Sequence, residues 1–574
     1  MENELLVTRR DVVRYGGAAI TLATATSSIG QAFAMNDDRA ARGVVFEDCS
    51  GTGRRQTGDP GIAGVLVSNG REVVRTDQDG RYALPVDDET IIFVIKPTGY
   101  AVPVERGVML PRFYYIHQPK GTPPQLGLRY RGIEPSGALP GSIDFALKKV
   151  DEPTSFDVLM FADPHAGSPA EVGFIRDGVN ALIGTYADFG VTLGDIMSDD
   201  LSLYQRYNRI IGQLGVPWYN VIGNHDLNLD APGGKYSRET FKQTYGPSYY
   251  AFEYGGALFL MLDNVHYFGA HADQPSNNCD YEGRFGKRQL AFMANVLKEV
   301  PADRLVVAAM HIPLRTYLDP EDPASNTADR SAFLELLAGR RGVSFSGHMH
   351  TTEHHYLDGE DGNPGPAPHH HHVMTALSGS WWSGPYDHRG VAVADSHDGT
   401  PNGFHFLSID GNSYTTRFQP AKEPNARQVR IMVDSEFHRS RRETGRDIHM
   451  SELFGSPIAQ DHAGATELLV NVFDGGPRTS VEYRIGERAP ARMERERRTD
   501  PFVEAVFARN QASKKSWVKA EPCSHLWVAR LPADLAAGTH CIRVRVTDEY
   551  GREHHDHLVL EVTGTPAASA LARG

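Results

Sequence analysis

Between residues 43 and 149, apolar positions come in short β-branched runs broken by turn residues. Gly64-Val65-Leu66-Val67-Ser68, Val73-Val74-Arg75-Thr76 and Thr90-Ile91-Ile92-Phe93-Val94-Ile95 are separated by Asn69-Gly70 and Asp79-Gly80. Asn-Gly and Asp-Gly adopt the positive φ that tight hairpins demand, so this stretch predicts a small antiparallel β-sandwich. From 155 to 420 the texture changes. Near-continuous apolar runs such as Val158-Leu159-Met160-Phe161 and Leu305-Val306-Val307-Ala308-Ala309 alternate with the stretches 289–297 and 330–337, whose apolar residues recur every three to four positions. Strands apolar on both faces alternating with amphipathic helices predict a layered α/β core. From 426 to 563 short strand-like runs return, among them Leu468-Leu469-Val470-Asn471-Val472 and Cys541-Ile542-Arg543-Val544-Arg545-Val546. The expected architecture is therefore multidomain: a central α/β unit between two all-β sandwiches. Residues 564–574 form an Ala/Thr-rich tail with no apolar pattern to order it.

The first 34 residues follow another rule. Thr8-Arg9-Arg10-Asp11 precedes a Thr- and Gly-diluted apolar stretch from Gly16 to Ile29, which closes on Ala32-Phe33-Ala34. A basic start, a short apolar middle and a small-x-small close predict a removable export signal over residues 1–34. The adjacent arginines resemble those of twin-arginine signals of bacterial proteins. The stretch falls short of the roughly 20 apolar residues of a membrane span, and no later run exceeds it, so no transmembrane anchor is expected. The expected location is periplasmic or secreted.

Composition narrows the chemistry. Among 574 residues, 58 Lys and Arg stand against 72 Asp and Glu, a net charge of −14. So acidic a chain is poorly suited to gripping extended nucleic acid. Four Cys against 25 His exclude a disulfide-built scaffold and a Cys-rich zinc array, so any metal must use nitrogen and oxygen donors. Cys523 and Cys541 share the C-terminal sandwich and would be able to pair in an oxidising compartment, whereas Cys49 and Cys279 have no evident partner.

The α/β stretch places polar residues directly after its apolar runs. Phe161-Ala162 leads into Asp163-Pro164-His165, and Val191-Thr192-Leu193 leads into Gly194-Asp195-Ile196-Met197-Ser198-Asp199. Val221-Ile222 leads into Gly223-Asn224-His225-Asp226, Ala309-Met310 into His311, and Phe345-Ser346 into Gly347-His348-Met349-His350. Ligands collect at the carboxyl ends of strands in α/β sheets. Any one of these pieces alone is an ordinary turn or a structural histidine. Together, with glycines that admit close backbone approach, they describe a metal site.

Over about 156–350 this order resembles the calcineurin-like metallophosphoesterase superfamily, which implies that the central α/β unit is a layered β-sandwich flanked by helices. The resemblance implies a centre of two metal ions (Mn, Fe, Zn or Ni), one held by Asp163, His165 and His350 and the other by Asn224, His311 and His348, with Asp195 bridging. It implies hydrolysis of phosphate mono- or diesters of small molecules by metal-bound hydroxide. His225 would face the leaving group, with Asp226 holding its ring. Where purple acid phosphatases carry a metal-binding Tyr, three residues after the bridging Asp, this chain has Ser198. An Fe–Tyr centre is therefore not expected. Gly379-Ser380-Trp381-Trp382-Ser383-Gly384 and Asp398-Gly399-Thr400-Pro401-Asn402-Gly403-Phe404 resemble bacterial secreted members with accessory domains at both ends. The N-terminal sandwich is similar to carboxypeptidase-regulatory-like domains and the C-terminal one to immunoglobulin-like domains. Two alternatives remain: a phosphodiesterase acting on envelope lipids or glycans, and a non-catalytic envelope-binding protein with a metal-containing core.

Three further features have competing readings. The run His369 to His372 reads as a solvated loop or as part of a substrate mouth. Of Trp381 and Trp382, one is expected in the core and one lining the cleft. Arg284, Lys287 and Arg288 read as a solvated helix start or as phosphate contacts.

Overall fold

Two sheets make the centre of the protein, and both are built from strands with almost no exposed position. The computed structural model describes residues 39–270, 281–421, 427–435, 439 and 457–564. The expected leader, Cys279 and the tail from 565 onward lie outside the described residues. One central sheet orders Trp218–Val221, Phe189–Leu193, Ser155–Phe161, Gly403–Asp410 and Ser413–Pro420. The other orders Tyr250–Tyr254, Ala257–Met261, Val306–Ala309, Gly342–Ser346, His369–Val373 and Glu353–Leu357. Val158, Met160, Val191 and Val221 of the first sheet share one apolar cluster with Phe259, Val307 and Phe345 of the second. The helices Pro169–Leu182 and Tyr204–Ile211 pack Val172, Ile175, Val179 and Ile211 on Leu159, Phe161 and Trp218, on the other side of the first sheet. Gly286–Glu299 and Arg330–Leu337 are helical as their spacing predicts, and bury Phe292, Met293, Val296 and Phe333.

Strand direction sets where the site forms. Ser155–Phe161, Phe189–Leu193 and Trp218–Val221 run parallel, as do Val306–Ala309 and Gly342–Ser346. Their carboxyl ends therefore release five loops at which polar residues gather.

Before the core, two four-stranded sheets cover 40–149. The pairing is not wholly antiparallel as expected: Ala40–Glu47 runs parallel to Phe145–Lys149, because the chain returns to this sheet only after a long excursion. This sandwich docks on the core through Phe93, edge-on to Phe292 at 5.7 Å, and through Arg288, which donates to the carbonyl of Asn69 (3.1 Å). Arg288 is thus a docking residue, and Arg284 pairs with Glu282. Between sandwich and core, Lys96 Nζ lies 2.6 Å from Glu152 Oε1, with the two side chains only 5% and 2% exposed. Removing one partner of such a pair strands a buried charge. Lys96→Ala is expected to cost about 3–5 kcal/mol, seen as a lower urea midpoint, and Lys96→Met with Glu152→Gln should recover much of it.

After the core come a four-stranded and a five-stranded sheet, with the helix Pro501–Arg509 between strands Glu494–Thr499 and Pro522–Arg530. Cys523 lies in one of these sheets and Cys541 in the other, and both are free thiols. No disulfide joins them here. Among the described residues no helix is long and apolar enough to cross a membrane.

Candidate metal centre

The residues expected to hold metal, Asp163, His165, Asp195, Asn224, His311, His348 and His350, converge at the strand ends, and all but His348 are buried. Asp163, His165, Asp195, His348 and His350 have φ of 44°, 47°, 48°, 73° and 53°. Non-glycine residues seldom occupy that left-handed region, and such strain persists where the surroundings impose it. Here it turns each side chain inward two to four residues after its strand ends.

Glycines supply the room. A Cβ on Gly223 would sit 2.1 Å from Asp195 Oδ1, and one on Gly347 2.2 Å from Asp163 Oδ2. Gly223→Ala removes no donor yet must displace Asp195. It is expected to lower turnover on the order of 10²-fold, as an ångström-scale misplacement does, with far-UV circular dichroism unchanged.

Two halves meet at Asp195. Its Oδ2 lies 3.2 Å from His311 Nε2 on one side and 3.6 Å from His165 Nε2 on the other, while Oδ1 accepts the backbone N–H of His225 (2.9 Å). On the first side, His311 Nε2 is also 2.9 Å from Asn224 Oδ1 and 3.2 Å from His348 Nδ1. On the second, His350 Nε2 is 3.8 Å from Asp163 Oδ1, and both oxygens of Asp163 lie 3.0 Å from the backbone nitrogen of His348.

The outer atoms of the rings decide which way the inner lone pairs face. His311 donates Nδ1–H to the carbonyl of Leu193 (2.9 Å), and His350 donates Nδ1–H to that of Gly379. In the neutral rings both Nε2 atoms then carry lone pairs directed at carboxylate or amide oxygens. Lone pair against lone pair is unfavourable unless a cation lies between, and a backbone carbonyl on the far nitrogen is the usual support of a ligating imidazole. Titration agrees. Burial works against charging His311, but Asp195 and Asp163 outweigh it and push it up to about 9. Burial, reinforced by Asp195, holds Asp163 well above the ordinary carboxylate range. Both shifts reflect a shortage of positive charge, and the N/O donor set suits first-row metals. These residues fit a pair of metal ions.

His225 differs from expectation in its partner. Its Nδ1 meets Asp199 Oδ1 at 2.8 Å. Asp226, expected to hold that ring, instead accepts from the backbone nitrogens of Gly223 (3.0 Å), Ile196 (3.1 Å) and Met197 (3.3 Å) and from Tyr204 Oη (2.9 Å). It ties the Asp195 loop to the Asn224 turn. Asp199 ends the run Gly194-Asp195-Ile196-Met197-Ser198-Asp199, and its φ of 64° turns it toward the neighbouring loop. His225 and His348 are half-buried and form the open side of the pocket.

Of the two tryptophans, one expected in the core and one at the cleft, Trp381 is the one at the pocket. It stacks on His350 (centroids 4.0 Å, 20°), and its Nε1 donates to His165 Nε2 (3.2 Å). Trp382 is buried, donating to the carbonyl of Pro164 (2.9 Å). The C-terminal module backs this wall: Trp381 packs on the cluster of Val503, Val506 and Phe507, and Lys515 pairs with Glu171 at 2.8 Å.

The run His369 to His372 is neither a solvated loop nor part of the mouth. It is an interior strand whose polar atoms are met by distant residues: Ser344 Oγ lies 2.9 Å from His369 Nε2 and 2.7 Å from His371 Nδ1.

Comparison with known proteins gives a consistent placement. Residues 156–352 match the calcineurin-like phosphoesterase family, residues 50–127 its N-terminal companion and residues 371–554 its C-terminal companion. The chain is 31% identical over 151 residues to serine/threonine-protein phosphatase CPPED1 of Rattus norvegicus and 32% identical over 151 residues to that of Mus musculus. Each match covers 25% of this chain and 45% of the relative, so the chain spans less than half the length of the curated relatives it matches. Among solved structures, a dimetal phosphatase from Danio rerio is 14% identical, covering 46% of this chain and 99% of that one, with a TM-score of 0.31. Purple acid phosphatase PPD1 from yellow lupin (Lupinus luteus) is 13% identical, covering 63% and 68%, with a TM-score of 0.33. With its core and both flanking segments matched in order, the chain belongs to the calcineurin-like phosphoesterase family.

Proposed function

We propose that the protein is an exported dinuclear-metal phosphohydrolase that cleaves phosphate mono- or diesters of small molecules. The observation that carries this reading is the convergence of five strand-end loops on one N/O pocket, with Asp195 Oδ2 facing an imidazole in each half. Two first-row cations bound there would supply Lewis-acid charge and an acidified water. Asp163, His165 and His350 would hold one, Asn224, His311 and His348 the other, and Asp195 would serve both. His225, held through Nδ1 by Asp199, would carry a proton on Nε2 to the leaving oxygen at the pocket's open side. Asp226 keeps the two loops in register, and Trp381 presses His350 into place.

The net charge of −14 favours small phosphoesters over nucleic acid, since only the metal pair would attract an anion locally. Contacts with envelope glycan or lipid belong to the two flanking modules in this reading. Relative rates on para-nitrophenyl phosphate and its bis ester, followed by a phosphate-release panel of metabolites, separate a monoesterase from a diesterase. Equal inertness toward both esters in a metal-loaded chain would count against the reading. Export is supported by the Arg9-Arg10 leader pattern alone. It is tested by N-terminal sequencing of the chain recovered outside the cytoplasm, where the expected start is near Met35; an intact Met1 would refute it.

A further inference from the structure

A second gathering of imidazoles lies apart from the strand-end pocket, where the core meets the C-terminal module. Strand His369–Val373 pairs antiparallel with Glu353–Leu357, and the register sets His372 directly opposite His354. Their rings stack, with centroids 3.9 Å apart and planes at 22°. His405, from strand Gly403–Asp410 of the other core sheet, meets His372 edge-on at 5.2 Å. Asp474 enters from the C-terminal module, two residues after strand Glu467–Val472. Its Oδ1 lies 3.1 Å from His372 Nε2, 3.2 Å from His405 Nε2 and 3.4 Å from His354 Nε2. The three rings are buried, and the Asp474 side chain is 10% exposed.

Three observations point to a cation. Donors placed tetrahedrally at the 2.0–2.1 Å typical of zinc are about 3.3 Å apart along each edge. The separations of Asp474 Oδ1 from His372 and His354 straddle that value, and one donor atom from each of His354, His372 and Asp474 lies within 4.8 Å of the others. Secondly, the Nε2 atoms of His354 and His372 make no hydrogen bond despite lying this close to a carboxylate. Rings that face a shared centre point past the oxygen, whereas rings that donate would point at it, and buried polar atoms without partners are rare. Thirdly, His354 is braced from behind: its Nδ1 lies 2.9 Å from His370 Nε2, and His370 Nδ1 lies 2.8 Å from Tyr414 Oη. That is the outer support a ligating imidazole uses.

We propose that His354, His372 and Asp474 form a third, structural metal site for a zinc-class divalent cation, with His405 Nε2 orienting the carboxylate. It rests on none of the residues of the dinuclear pocket and does not depend on the phosphohydrolase reading. Its ligands come from two core strands and one loop of the C-terminal module, so the ion would pin the module to the core. The backbone there allows no slack: a Cβ on Gly476 would sit 2.7 Å from His354 Cβ. Three buried rings and a carboxylate only 10% exposed leave no space for a substrate, which makes the site structural.

The test is metal stoichiometry of the full chain, saturated with Zn(II), freed of loose metal by gel filtration and measured by plasma mass spectrometry. Asp474→Asn and His372→Gln are each expected to hold one ion fewer than the wild type, with para-nitrophenyl phosphate turnover within about twofold, since distant sites act independently. The difference of one ion reads this site whatever the dinuclear pocket holds. Equal counts in the wild type and either folded variant overturn the proposal. If neither variant folds, the count is taken on Asp195→Asn, whose strand-end pocket is expected to be empty: a retained ion supports the site, and none overturns it.

Discussion

Asp195→Asn is expected to empty the strand-end pocket of metal and to lower kcat/KM for para-nitrophenyl phosphate by about two to nearly four powers of ten. Asparagine keeps the shape and can still accept the N–H of His225 at Oδ1. It removes the one negative charge that faces His311 at 3.2 Å and His165 at 3.6 Å, and it turns an amide donor toward a ring nitrogen that needs a cation. Deleting one partner of a buried charge pair costs about 3–5 kcal/mol, and 1.36 kcal/mol is a factor of ten, which sets the range. Metal content and turnover should fall together. A variant that keeps wild-type metal and loses only turnover would place Asp195 in a different role.

His225→Asn should behave in the opposite way. The ring is half-buried, sits beside His165 with centroids 4.3 Å apart, and is held from Nδ1 by Asp199 at 2.8 Å. Loss of a general acid costs about 10²–10⁴-fold in rate, and metal content should stay at the wild-type value. The effect should be larger for phenyl phosphate than for para-nitrophenyl phosphate, because the poorer leaving group depends more on a delivered proton. Asp199→Asn should reproduce that leaving-group dependence at about 10–100-fold, as the loss of an outer support does. A leaving-group dependence unchanged from wild type in both variants would show that His225 moves no proton.

Much of the site was legible from order and residue type. Asp163, Asp195, Asn224, His311 and His348 each follow an apolar strand, and glycines precede three of them. Strand ends and close backbone approach are local properties, so linear sequence displays them. What escaped depends on contacts between distant segments. Asp226 was the obvious partner for His225 because it is the next residue. Within the short helical turn Asn224–Asp226, however, its carboxylate is taken by Gly223, Ile196 and Met197, and the ring turns to Asp199 from another loop. The run His369 to His372 shows no alternation because both of its faces are covered. One face is met by Ser344 and the other by His354, Tyr414 and Asp474, the last about a hundred residues away. The Trp381 wall likewise depends on Val503 and Phe507 of the C-terminal module.

The most direct test of the dinuclear reading is chelation and add-back. The full chain, stripped of metal and verified as folded, should lose hydrolysis of para-nitrophenyl phosphate and of its bis ester. Mn, Zn or Fe should restore activity on at least one of them, in proportion to metal bound at the strand-end pocket. Hydrolysis that survives complete removal of metal, or a reloaded chain inert toward both esters, would contradict the account.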